Sequence, residues 1–329
     1  MRNEATLSSV LSFLLLLLFL PGRPARASGK IRVVATVPDL AWVAEQIGGD
    51  RVRVRALARG GQDLHAVPAR PTFLLHISRA DLFLELGLDA EHAWVPPLIY
   101  ACRNPRVRPG GKGFVNCSAG IRPLEVPKSL SREQAGDLHP MGNPHYNLDP
   151  ENMRIVARNV CEGLCRVDPA GKDFYRKNLA ALMKRFDEKE KEWFRMARDL
   201  KGTAVVTYHL SWSYFARRFG IRVVGTIEPK PGIEPTPSHL AELLETMKRE
   251  KVKVIIREPY YSEKTPCWLA ERTGARVVTL PNTAGWNGAG KTWFDLMDYI
   301  LKNLRKAAGL PAVPPPEKEK ASPAGEGAR

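Results

Sequence analysis

Seven histidines are the side chains of this 329-residue sequence best suited to chemistry near neutral pH. His76 lies in an apolar helical stripe and reads as structural, and His92 and His239 sit in ordinary helical contexts. Four others stand apart: His65, His139, His145 and His209. His65 follows GGQDL on a loop between a predicted strand and a predicted helix. His209 ends the strand-like TAVVTYH, just before the helical SWSYFARRFG. Ligands of open α/β sheets bind outside the carboxyl ends of strands, and these two residues occupy such positions, one in each half of the chain. His145 lies in GNPHYNLDPENM. There Asp149 suits a helix N-cap, Pro150 the first helical position and Glu151 the positive end of the helix dipole. The imidazole is thus fixed between Pro144 and a capped helix. Neutral imidazole ligates zinc at ~2.0–2.1 Å, and three of them converging on a cleft would need only a carboxylate or water to complete a tetrahedron. Positions 65, 145 and 209 are 80 and 64 residues apart, so no local ligand motif brings them together. Each, taken singly, is equally readable as surface or core filler.

The elements around them alternate. IRVVATV reads as a buried strand and Asp39–Ile47 as a helix stopped by Gly48-Gly49. RVRVRAL reads as a strand, PTFLLHISRA as a helix and DLFLELG as a strand. Pro96–Pro144 is loop-rich. After the helix starting at Asp149, residues 172–200 form the clearest helix, with Tyr175, Leu179, Leu182, Phe186, Trp193 and Leu200 on one stripe and dense charge opposite. At ~1.5 Å per residue it is roughly 40 Å long, enough to bridge two lobes. Strand–helix alternation then resumes through TAVVTYH, RVVGTI, VKVIIREPY and ARVVTLP to a last helix, TWFDLMDYILKNLRKAAG. The expected fold is α/β, two strand–helix lobes with mainly parallel sheets joined by one long rigid helix. The division is a signal peptide over 1–27, an N-terminal lobe over 28–171, the linking helix 172–200, a C-terminal lobe over 201–308 and a disordered tail over 309–329, which has too little apolar surface to fold.

The leader has an early Arg2, an apolar run from Val10 to Leu20 that is short for a bilayer span, and Ala25-Arg26-Ala27 as a cleavage site. Export is expected, with cleavage after Ala27 and no cysteine placed for lipid attachment. The formal charge of +15 falls to +13 once Arg2, Arg23, Arg26 and Glu4 are removed. Basic charge without aromatic interleaving, on an exported chain, reads as a solvated surface and not as a nucleic-acid site. Of five cysteines, Cys102 and Cys117 bracket a Pro/Gly loop and form the expected disulfide. Cys161 and Cys165 share a helix face where a bridge would be strained, and they read as small buried side chains. No CxxC motif supports a structural zinc knuckle.

GGQDLHAVPARP, GNPHYNLDPENM, VTYHLSWSYFARRFGI, GTIEPKPGIEPTPSHLAEL and VKVIIREPY together resemble segments of the metal-binding periplasmic proteins of ABC uptake systems, the cluster A-I family and its zinc-uptake members in particular. The resemblance covers about residues 30–307. It implies two α/β lobes joined by a long backbone helix, with a metal ion in the cleft held by His65, His145 and His209. For the fourth ligand, many members supply an Asp where this chain has Asn282, a poor zinc ligand. Glu258 at the end of VKVIIREPY is the preferred substitute, with His139 and water as alternatives and a packing role for Glu258 as its plain reading. The chain also has Leu64 where members commonly have Pro, and it lacks their long His/Asp/Glu-rich loop. The implied function is capture of Zn2+ and delivery to an ABC permease and its ATPase, by a periplasmic monomer that is not an enzyme. The alternatives are a manganese- or iron-binding member, whose sites use more carboxylates, a secreted zinc hydrolase with Glu258 as base, or an adhesin. No zinc-protease helix or GxSxG motif supports the hydrolase.

Overall fold

A run of apolar, β-branched residues starts the first sheet. β1 (Ile31–Ala35) is central and pairs in parallel with β2 (Val52–Ala56) on one side and β3 (Leu82–Glu85) on the other, and β3 pairs with the short edge strand β4 (Phe114–Asn116). The order β2-β1-β3-β4 is wholly parallel, so each connection is a crossover. α1 (Pro38–Gly48), with Pro at its first position, α2 (Pro71–Ser78), α3 (Val95–Ala101) and α4 (Pro150–Val167) belong to this lobe. The computed structural model describes residues 29–127 and 139–313. The expected leader and the expected tail beyond residue 313 fall outside them.

α5 (Lys172–Ala197) is the expected long helix, about 39 Å at the usual rise, and a 3₁₀ turn continues it through Leu200. Tyr175, Leu182, Phe186, Trp193 and Leu200 of the predicted stripe are buried. The second sheet repeats the first in order, β6-β5-β7-β8, again all parallel. Its strands are β5 (Ala204–Thr207), β6 (Arg222–Thr226), β7 (Val254–Arg257) and β8 (Arg276–Thr279). α6 (Ser213–Phe219), α7 (Pro237–Arg249) and α8 (Lys264–Thr273) lie between them. α9 (Trp293–Ala307) opens on a capping box of Thr292 and Asp295.

The two halves share an aromatic core. Trp293 and Phe294 at the start of α9 pack against Phe186 and Trp193 of α5 and against Trp42 of α1, with ring centroids 4.8–6.3 Å apart. Trp293 also donates its indole N–H to the Asn147 carbonyl at 2.9 Å, and Asn147 donates its amide to the Asn282 carbonyl at 2.8 Å. An interface this apolar disfavours wide relative motion of the lobes.

Within the loop-rich Pro96–Pro144 span, α3 takes its prolines in the first turn, where the missing N–H costs nothing, and FVN forms only a short edge strand. One expectation needs correction. The disulfide is absent, since Cys102 and Cys117 are both free thiols. Cys102 caps α3 and its Sγ donates to the Ile99 carbonyl at 3.1 Å. Cys117 is fully buried past β4, with Glu85 and Glu91 raising its thiol pKa beyond the larger effect of burial.

Candidate metal centre

The loop after β2 brings His65 to the carboxyl edge of the first sheet. Asp63 accepts the His65 backbone N–H at 2.9 Å, an Asx turn that sets the loop's direction. Trp94 donates to the Leu64 carbonyl at 2.9 Å, and the Leu64 side chain fills the core. The residue that departs from the usual Pro is therefore a packing anchor. The His65 ring presents Nδ1 to the Ala90 carbonyl at 3.1 Å.

His145 opens a 3₁₀ turn, Tyr146–Leu148, that runs into α4. Asp149 is the N-cap of α4 as expected, accepting the Glu151 N–H at 3.0 Å, and it pairs with Arg218 of α6 at 2.7 Å. Asn143 Oδ1 receives both the His145 backbone N–H at 2.9 Å and its Nδ1 at 3.0 Å. His209 lies two residues beyond β5, where Thr207 Oγ1 donates to its carbonyl at 2.7 Å. Its Nδ1 meets Glu228 Oε2 at 2.7 Å.

Each Nδ1 thus faces an acceptor, which places the ring proton there and leaves the Nε2 lone pair available. The ligand atoms of His65, His145 and His209 lie within 4.8 Å of one another. Nε2 of His65 and Nε2 of His145 are 3.2 Å apart. Two nitrogens held ~2.0–2.1 Å from one ion at a tetrahedral angle would be about 3.3–3.4 Å apart. Three acceptors turned on one point fit a cation. The rings are 6%, 1% and 3% exposed, so water contributes little to satisfying them.

The electrostatics agree. Burial, reinforced by the neighbouring imidazoles, holds His65 and His145 well below the ordinary imidazole pKa. Burial also works to lower His209, but the hydrogen bond to Glu228 and the nearby Glu258 charge raise it on balance. Two of the imidazoles are kept unprotonated at neutral pH and the third is made a more basic donor.

Glu258 is completely buried at the end of β7 and accepts the Trp212 indole N–H at 3.0 Å; burial pushes its carboxyl up to about 7. It stands outside the group of three, as does His139, whose ring centroid is 4.6 Å from that of His65. Asn282 is buried and its amide donates to the Tyr260 hydroxyl at 2.9 Å. His76 is partly exposed on α2, and His92 and His239 bond to the carbonyls of Asp89 and Thr226. Sequence reasoning missed Asn143, Glu228 and the Ala90 carbonyl, which orient the three rings. Glu228 had a signal: it follows β6 at the same sheet edge that marked His209. Asn143 had a weaker one, an acceptor two residues before His145 across a proline.

The family model of the periplasmic component A of zinc-uptake complexes, ZnuA, matches residues 33–307. The chain is 28% identical to the metal ABC transporter substrate-binding lipoprotein FimA of Streptococcus parasanguinis over 92% of its own length and 98% of FimA. It is 29% identical to the manganese ABC transporter substrate-binding lipoprotein PsaA of Streptococcus pneumoniae, over 86% of this chain and 90% of PsaA. Among solved structures, a zinc-bound ZnuA deletion mutant superposes with a TM-score of 0.70 at 27% identity, covering 85% of this chain and 98% of that one. With two parallel lobes, a long helix between them, a buried histidine cluster at the facing sheet edges and a family match spanning nearly all described residues, the chain belongs to the ZnuA family of periplasmic metal-uptake components.

Proposed function

We propose that the chain is the extracytoplasmic capture protein of an ABC metal uptake system, and that its cargo is zinc, bound by Nε2 of His65, His145 and His209. The convergence of three Nε2 atoms, each backed by an acceptor on Nδ1, carries this reading. Three imidazoles suit zinc, whereas manganese, the cargo named for PsaA, favours carboxylate oxygen. Glu258 is the fourth ligand in this reading, brought in by a small rearrangement from Trp212, with His139 or water as alternatives. A periplasmic location and delivery to a membrane permease and its ATPase go with the same reading. The chain acts as a carrier and not a catalyst. The shared aromatic core supports release by a modest shift of loops or lobes.

Elemental analysis of untagged, chelator-free protein, followed by zinc–manganese competition, tests this. About one zinc per chain that manganese does not displace is the expected result. Preference for manganese would overturn the cargo, and no bound metal would overturn the site. His145→Ala should weaken zinc binding far more than His76→Ala; equal effects would remove the ligand assignment.

A further inference from the structure

Glu125 adopts φ +55, in the left-handed region that costs a non-glycine residue energy and that persists where surrounding structure enforces it. Both of its carboxylate oxygens are engaged. Oε2 accepts the Asn143 amide at 2.7 Å and Oε1 accepts the Ser213 hydroxyl at 2.7 Å. Asn143 is 4% exposed, and its Nδ2 also donates to the Leu210 carbonyl at 2.7 Å. With both amide hydrogens taken, Oδ1 of Asn143 can only face the other way, toward His145 N and Nδ1. The neighbouring backbone closes the same knot. Tyr214 OH donates to the Asn143 carbonyl at 2.7 Å and accepts the Leu124 N–H at 2.9 Å. Glu125, Asn143, His145 and His209 also line one small cavity of about 90 Å³.

We propose that Glu125 is a positioning residue for His145: it locks Asn143 in the orientation that fixes the His145 ring, and it ties that arrangement to segment 210–214, which follows His209. A strained residue on one lobe thereby makes two ligands from different lobes take up their bound geometry together. The inference rests on the zinc-capture reading. It predicts that relieving the strain while deleting the carboxylate keeps the fold and loosens the site, the opposite of what a structural residue would show.

The test uses the mature chain and zinc alone. Glu125→Gly should keep the metal-free fold, because glycine accepts the positive φ and so offsets part of the cost of losing the Asn143 and Ser213 hydrogen bonds. Zinc affinity should fall several-fold, toward the roughly tenfold that loss of a group bonded directly to a ligand typically costs. The His145 ring ¹⁵N shifts of the metal-free protein should move from an Nδ1-protonated pattern toward a mixture of tautomers. Exchanging the partners gives an independent arm. Asn143→Asp alone sets a carboxylate against both Glu125 and the Leu210 carbonyl and weakens binding, and adding Glu125→Gln supplies an amide donor to the first of these and restores the share of the loss that Glu125 causes. Wild-type zinc affinity and ring shifts in Glu125→Gly, or strictly additive effects in the exchange pair, would overturn the proposal. Should Glu125→Gly fail to fold, the exchange pair decides alone. If His145→Ala abolishes binding while these variants retain it, only the positioning role falls. If His145→Ala also retains it, the zinc reading falls first.

Discussion

Glu228 offers a sharp test of how the site is tuned. Its carboxylate meets His209 Nδ1 at 2.7 Å while 8% exposed, so the bond is charge-assisted and poorly screened. Tyr261 OH at 3.5 Å and the Gly232 N–H at 3.4 Å lend it weaker support. Glu228→Gln keeps an acceptor of the same reach, so the Nδ1–H tautomer survives, but the negative charge is gone. Loss of such a partner typically lowers metal affinity about tenfold to hundredfold, or roughly 1.4–2.7 kcal/mol.

The pH dependence then has a definite sign. Against burial, the Glu228 hydrogen bond and the Glu258 charge hold His209 above the ordinary imidazole value. A proton therefore competes with the metal at Nε2 of His209 at higher pH than at His65 or His145, which are held well below that value. In Glu228→Gln the imidazole becomes less basic toward protons and metal alike. Zinc affinity, measured by chelator competition from about pH 8 to pH 5, should fall most at the alkaline end, and the acid-release limb should move to lower pH. The two curves converge on acidification. A uniform loss at every pH, or an acid limb that stays in place, would refute the assignment of Glu228 as the group that sets His209 basicity.

Four further outcomes follow. Trp293→Ala removes a fully buried ring from the core shared by α1, α5 and α9 and should destabilise by about 3–5 kcal/mol in denaturant titration. Zinc affinity should weaken too, because the Asn147 contact is lost. Asp149→Asn keeps an N-cap acceptor but breaks the pair with Arg218, whereas Asp149→Ala loses both; thermal melts should rank wild type above Asn above Ala, with the cap alone worth about 1 kcal/mol. Burial raises Glu85 to about 8 and Asp39 and Glu258 to about 7, so the folded chain binds these protons more tightly than the unfolded one. The metal-free melting temperature should accordingly fall as pH rises from about 6.5 to 8.5, above the range where His65 and His145 oppose it. Alkylation in denaturant without reductant should label all five cysteines, and in native protein the exposed Cys267 should react before buried Cys102 and Cys117; a mass two protons light would restore the bridge.

What sequence revealed and what it hid divide along a physical line. Periodicity disclosed the strands, the long helix and the capped helix at Asp149, because each depends on neighbours within a few residues. Strand-end position singled out His65 and His209 because the crossover topology forces loops to that edge whatever their sequence. The groups that orient the rings were hidden because their partners are far away. Glu228 reaches His209 across 19 positions, and the Ala90 carbonyl reaches His65 across 25. No side-chain type marks a backbone carbonyl as special. The disulfide reading failed for a related cause: a Pro/Gly loop between Cys102 and Cys117 says that two Cα atoms can approach, but nothing about whether one thiol is already turned toward the Ile99 carbonyl.

The same division explains why the site is shared between lobes. Each sheet edge alone presents a weak set of donors, His65 and His145 on one side and His209 on the other. Two buried neutral imidazoles with Nε2 atoms 3.2 Å apart, and no proton to share, are an unfavourable pair until something positive lies between them. The third imidazole comes from the other half of the chain, so a cation relieving the first pair would also draw on contacts that join the lobes. Asn143 to Leu210, Asn147 to Asn282 and Asp149 to Arg218 all run from the His145 loop to the second lobe. On the zinc-capture reading, a site built this way senses the relative placement of its halves, and a small displacement at those contacts is expected to spoil the three-nitrogen geometry and release the ion.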